Sequence, residues 1–233
     1  MNARLAGTAV TLTVALIVGS AACGEDPGAG GSPTPDGPAA TESGLPPIDP
    51  AQTLPPNDLA SLRRLYDPVL APLELTLTRG ALIDRSNGGY EPSNTGTHLA
   101  LYVEPTRTFT PAEFTERLWS LSALVTPDAF ARWSGLESYD ICQEPNPGED
   151  DRPEPFPVTQ LDITRDAAAR IDWTGGDLTD LLVASRTDAE VIVRTNRTIR
   201  SSAEFAAAQA AADAEIAASG LTTVPSTWRS AGG

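Results

Sequence analysis

The chain has 233 residues, with 31 acidic side chains against 16 basic ones and a formal net charge of −15 at pH 7. Every base is an arginine and there is one histidine, His98. So acidic a chain repels nucleic acid and anionic lipid, and its length past the N-terminal region holds one domain but not two typical ones.

Met1 to Gly7 is short and polar and carries Arg4; Thr8 to Gly19 is almost wholly apolar; Ser20, Ala21 and Ala22 are small; Cys23 follows. A basic start, an apolar run of about ten residues and a small-residue exit form the layout of a secretory signal peptide over 1–22. The apolar run is shorter than the roughly 20 residues needed to span a bilayer. A cysteine directly after the small residues resembles the lipobox of bacterial lipoproteins, although Ser20 stands where leucine is usual. The resemblance implies acylation of Cys23, which becomes the mature N-terminus, and a lipid anchor on the extracytoplasmic face of the cell membrane. Ser20 and Ala22 also satisfy the small-x-small rule for an ordinary signal-peptidase cut, which would give a secreted protein.

The segment 23–56 is the lipidated cysteine and a tether dominated by proline and glycine, with acids and no base. It has too little apolar surface to offset the entropy of ordering, so it is expected to be disordered. Its reach is about 30 Å for a flexible chain of that length.

The remaining residues, 57–233, are expected to form a single α+β domain: a mostly antiparallel sheet with a helix pair and a C-terminal alanine-rich helix packed on it. Asn57 can cap a short helix carrying Leu59, Leu62, Leu65 and Tyr66, stopped by Pro68. Leu73, Leu75 and Leu77 alternate with polar residues as a half-buried strand, and Thr97 to Glu104 repeats the pattern after the glycine-rich loop at 86–96. Thr110 with Glu113 makes a capping box, Pro111 opens the helix, and Phe114, Leu118, Leu121 and Val125 form one apolar stripe. Thr126-Pro127-Asp128 reads as the start of a second helix ended by Gly135. Strands are expected over Val158–Thr164 and Ala169–Trp173, and as a hairpin from Leu181–Arg186 and Ala189–Thr195. Ser201 with Glu204 opens the alanine-rich helix, and Gly220 closes it.

The chemistry is sparse. His98 is the one candidate general base, and no nucleophile elbow accompanies it; Ser86 and Ser93 are its nearest serines along the chain. The string from Leu136 to Pro145 places Tyr139, Asp140, Cys142 and Glu144 together, the mixture of groups that lines a cleft. The acidic run around Glu149, Asp150 and Asp151 lacks calcium-loop spacing and reads as a solvated loop. Two cysteines cannot make a zinc cluster, and no phosphate loop or dinucleotide fingerprint is present, so neither metal nor cofactor is expected. If Cys23 is acylated, Cys142 is a lone thiol, expected to be buried; if not, the two could pair.

These features point to a membrane-anchored binding or interaction domain, more readily than to an enzyme. Its partners would be the membrane, through the acyl anchor, and an envelope protein or a small ligand, but not nucleic acid. The competing reading is a cell-envelope hydrolase using carboxylates or a Ser/His pair. The residues expected to bind a ligand are His98, Tyr139, Asp140, Cys142 and Glu144.

Overall fold

The computed structural model describes residues 45–85, 91–149 and 157–225, all within one compact unit. The signal-like segment, Cys23, the loop at 86–90 and the acidic residues 150–156 lie outside them.

Among the described residues six strands and six α-helices follow in the order α1 (Leu59–Leu70), β1 (Leu75–Asp84), β2 (Glu91–Pro92), β3 (His98–Pro105), α2 (Pro111–Arg132), β4 (Ser138–Gln143), β5 (Thr159–Thr164), α3 (Arg165–Ala168), α4 (Leu178–Thr187), β6 (Val191–Thr195), α5 (Arg197–Arg200) and α6 (Ala203–Ser219), with a 3-10 turn at Ala71–Leu73 after α1. The strands form one sheet in the order β2-β1-β3-β4-β5-β6. All neighbours are antiparallel except β3 and β4, which are parallel and joined by α2. A parallel pair needs a crossover rather than a hairpin, and α2 supplies it. The fold is therefore α+β, with a mostly antiparallel sheet and the alanine-rich α6 among the helices packed on it.

Register decides the core. Leu99, Leu101 and Val103 of β3 pair with Tyr139, Ile141 and Gln143 of β4, and Tyr139 and Ile141 pair in turn with Ile163 and Leu161 of β5. On β1 a bulge between Leu77 and Arg79 resets the alternation, so that Gly80 and Leu82 follow Leu75 and Leu77 onto the same face. All six helices contribute to the apolar cluster on this face, from Leu62 and Tyr66 of α1 to Ile216 of α6. Gly80 lets α1 approach, because a Cβ there would stand 2.7 Å from Leu62 Cδ1.

The α2 start is as read from the sequence: Thr110 caps Glu113, Glu113 returns the bond, and Pro111 is at the first turn. The Arg107 guanidinium and the Thr110 bonds hold the Glu113 carboxyl down to about 2. This cap is therefore complete above the ordinary carboxylate range and lost only as pH falls toward 2. The stripe Phe114, Leu118, Leu121 and Val125 is buried.

The second helix expected at Thr126 does not exist as a separate element. Pro127 lies inside one helix of 22 residues. Thr126 does not cap; its buried hydroxyl bonds the Tyr139 phenol at 2.5 Å. Burial of Ala129, Phe130 and Trp133 continues the stripe and outweighs the roughly 3 kcal/mol cost of an interior proline. Likewise Pro68 does not stop α1, which runs to Leu70. The carbonyl it frees is on exposed Arg64, where water can satisfy it. Asp58, not Asn57, caps that helix; Asn57 Oδ1 instead accepts from the Leu82 amide at 2.9 Å.

The expected hairpin at 181–195 and the strand at 169–173 are also corrected. Residues 178–187 form α4, because Asp177 and Asp180 make a reciprocal capping box and Leu181, Leu182 and Val183 are buried by helical packing. Only β6 is a strand there, and it pairs with β5. Residues 165–168 are a helical turn, after which the Trp173 indole donates to the Ala168 carbonyl at 2.8 Å and stacks on Trp119. The α6 helix is capped by Ser202, one residue after Ser201, and closed by Gly220 with φ of 63°.

The segment read as tether is held on the domain from Leu45. Arg132, paired with Asp128, donates to the carbonyls of Pro46 and Pro47 at 3.0 and 3.3 Å. Leu45 and Leu54 pack against the core, and the Gly135 amide donates to Thr53 O at 2.8 Å.

Leu118→Ala is expected to destabilise the domain by about 2–5 kcal/mol through the cavity it leaves. Gly96→Ala is also expected to lower stability, since its Cβ would stand 2.3 Å from the Ile83 carbonyl oxygen. Denaturant unfolding of both variants checks the two claims; an unchanged midpoint in Leu118→Ala would place the stripe outside the core.

Candidate functional site

The sheet has a second face, where polar side chains cluster among a few apolar ones such as Ile83 and Ala100. Strand alternation sends His98, Ala100 and Tyr102 of β3 to it, together with Ser138, Asp140 and Cys142 of β4 and Gln160 and Asp162 of β5. Of these, His98, Asp140, Cys142, Gln160 and Asp162 are buried, while Ser138 and Tyr102 are partly exposed. None belongs to the apolar core.

Arg85, just past β1, reaches across β3 and β4 to β5. Its Nη1 and Nη2 donate to Asp162 Oδ1 and Oδ2 at 3.2 and 2.9 Å, and Nη1 is also 3.1 Å from His98 Nδ1. A guanidinium can only donate, so Nδ1 is the acceptor and the ring hydrogen of neutral His98 sits on Nε2. Ser138 Oγ is 2.9 Å from the same Nδ1. On the other side Nε2 faces Asp140 Oδ1 at 3.7 Å, beyond hydrogen-bond range. Both atoms are buried without a hydrogen-bond partner, although the residues are only 2% and 5% exposed. Asp140 Oδ2 accepts from Gln160 Nε2 at 2.9 Å. The result is a strut, Asp162–Arg85–His98, ending on an unmatched donor and an unmatched acceptor that face each other.

Of the residues singled out in the sequence, His98, Asp140 and Cys142 are brought together and Glu144 stands at the rim. Its carboxylate pairs with Arg79, whose guanidinium lies 4.0 Å over the Tyr102 ring. Tyr139 is not part of this group. It points into the core, where its hydroxyl meets Thr126 and its ring meets Phe130 edge-on. Contiguous residues on a strand face opposite ways, so the string could not line one cleft.

Arg85, Ser138, Gln160 and Asp162 were not singled out from the sequence. The signal for two of them was present: Gln160 and Asp162 interrupt the apolar run from Val158 to Ile163 at a spacing of two, which places both on one face. Arg85 and Ser138 carry no such mark. Among the described residues no group of three or more metal-ligating side chains converges.

Burial, and then the Asp140 and Glu144 carboxylates, push the Cys142 thiol far above its ordinary range. Tyr102 is likewise pushed up to about 12, first by burial. Cys142 is therefore a packed thiol rather than a nucleophile, since the thiolate is the reactive form. In the native protein Cys142 is expected to resist iodoacetamide at pH 8 and to react on unfolding, as read by mass mapping of its peptide; rapid native labelling would overturn its burial. No family model, curated protein or solved structure matches the chain.

Proposed function

We propose that this chain is a lipid-anchored extracytoplasmic binding protein, attached to the cell membrane through acylated Cys23 and engaging an envelope protein or a small polar ligand with the second face of its sheet. The observation that carries the binding half is the polar cluster itself: an unmatched buried donor and acceptor beneath a rim of Ser138, Tyr102 and the Arg79–Glu144 pair. Buried polar atoms without partners cost free energy, and a ligand or partner that meets them recovers it. The anchor half is supported by the signal-like N-terminus ending at Cys23. Two acyl chains suffice for stable anchoring where one does not. Among the described residues no helix is long and apolar enough to cross a membrane.

The hydrolase reading has one observation in its favour, the 2.9 Å contact between Ser138 Oγ and His98 Nδ1. Arg85 weighs against it. Its guanidinium already donates to the nitrogen that would have to take the serine proton, so in this arrangement Nδ1 is shared between two donors rather than held for Ser138 alone.

Cys23→Ser is expected to move the protein from the membrane to the soluble fraction with the melting temperature unchanged, and an intact mass of the native protein is expected to show a diacylated or triacylated Cys23. Retention of the variant in washed membranes would sink the anchor; a native chain beginning after Ala22 without lipid would make the protein secreted.

A further inference from the structure

We propose that His98 is a proton-operated latch on the polar face, which exchanges its bond with Arg85 for bonds with Ser138 and Asp140 when it takes up a proton. The neutral ring accepts from Arg85 Nη1 at Nδ1, and its Nε2–H ends 3.7 Å from Asp140 Oδ1 without a bond. A solvent proton added to Nδ1 turns that nitrogen into a donor. Two donors cannot share a hydrogen bond, so Arg85 Nη1 gives up His98 and keeps its bond to Asp162 Oδ1. The new Nδ1–H already has an acceptor, the Ser138 hydroxyl oxygen at 2.9 Å.

At the other end of the ring, Nε2–H now belongs to a cation and faces a carboxylate. Closing the gap from 3.7 Å to the roughly 2.8 Å of a charge-assisted bond satisfies both atoms that the neutral state leaves without partners. Arg85 keeps the Asp162 carboxylate, which it holds through both terminal nitrogens. The ring thus has a complete set of partners in the charged state and an incomplete one in the neutral state.

The groups that face it set the balance. Arg85, from the end of β1, opposes protonation and is offset by Asp162 of β5; Asp140 of β4 favours it. Farther along the face, Tyr102 and Cys142 stay neutral because burial pushes both upward, and the Arg79–Glu144 pair is already closed. Proton uptake therefore takes the group of Arg85, His98, Asp140 and Asp162 from one net negative charge to none. That this would make ligand binding depend on pH rests on the polar face being the binding surface; the latch itself does not.

The single histidine makes the test unambiguous, because its ring signals have no overlap. Ring-nitrogen NMR of the full chain labelled with ¹⁵N-histidine would be followed between about pH 5 and 8, the interval in which histidine ordinarily changes charge. At the upper end the hydrogen is expected on Nε2 alone; on acidification Nδ1 is expected to gain a proton in one step while the domain stays folded. Asp140→Asn is expected to move the midpoint down by about one pH unit or more, and Arg85→Gln to move it up. A neutral ring with its hydrogen on Nδ1, or a ring that never charges before the domain unfolds, overturns the latch in the unmodified protein, without reliance on either variant. A folded Asp140→Asn protein with an unmoved midpoint overturns the role of Asp140. These readings concern the ring alone, so the latch stands or falls independently of whether this face binds a ligand.

Discussion

The pairing of β3 with β4 is the constraint on which the rest of the structure depends. Because these two strands are parallel, the chain must cross the sheet between them, and the crossing is α2, the helix that carries the longest apolar stripe of the core. The same register sets Leu99 and Leu101 beside Tyr139 and Ile141 on the helix side, and His98 and Ala100 beside Ser138 and Asp140 on the other. A slip of one residue would exchange the faces, driving Asp140 into the apolar layer and Ile141 out of it. The core therefore fixes the register, and the register assembles the polar cluster. Ala100 matters here through its size: it lies opposite Asp140 and leaves the carboxylate space beside His98.

Much of this was legible in the sequence, where local chemistry and tertiary packing agree. The capping box at Thr110, the stripe from Phe114 to Val125, the alternation of β3 and the glycine closing α6 all mark elements the structure contains. The errors fall where packing overrides a local signal. Pro127 and Pro68 are strong helix breakers in isolation, yet both lie within helices whose buried faces continue past them. Leu181, Leu182 and Val183 read as a strand because a short apolar run has no decisive period. What settles the matter is the aspartate pair at 177 and 180, which caps the helix without the usual serine or threonine, and the packing of α4 beside α6, with Arg186 paired to Asp213.

The polar site was less legible, for a geometric reason. Its members come from four strands or strand ends, at Arg85, His98, Ser138, Asp140, Gln160 and Asp162, and only the sheet register brings them together. Sequence proximity favoured the wrong grouping: Tyr139 adjoins Asp140 in the chain and lies on the opposite side of the sheet. Proximity in sequence becomes proximity in a site only at a spacing of two on a strand, which is why Asp140 and Cys142 share the face and Tyr139 does not. Arg85 follows a strand whose bulge shifts its alternation, so no simple count along β1 would have predicted the side it serves.

The energetics of this face bear on its meaning. A buried ion pair and its neighbours are weak evidence for stability, because desolvation offsets much of the Coulomb gain and a well-packed apolar replacement is often as stable or more so. Here the arrangement is not even complete: His98 Nε2 and Asp140 Oδ1 stay unbonded. A sheet needing only to be covered could have carried aliphatic residues at positions 98, 140, 160 and 162. The cluster's groups are matched in sign but left one contact short, the condition in which a small change, whether an added proton or an approaching polar group, alters the arrangement at low cost. A rigid apolar layer holds these groups in register, and this combination lets the domain keep its fold while the charge of one face changes.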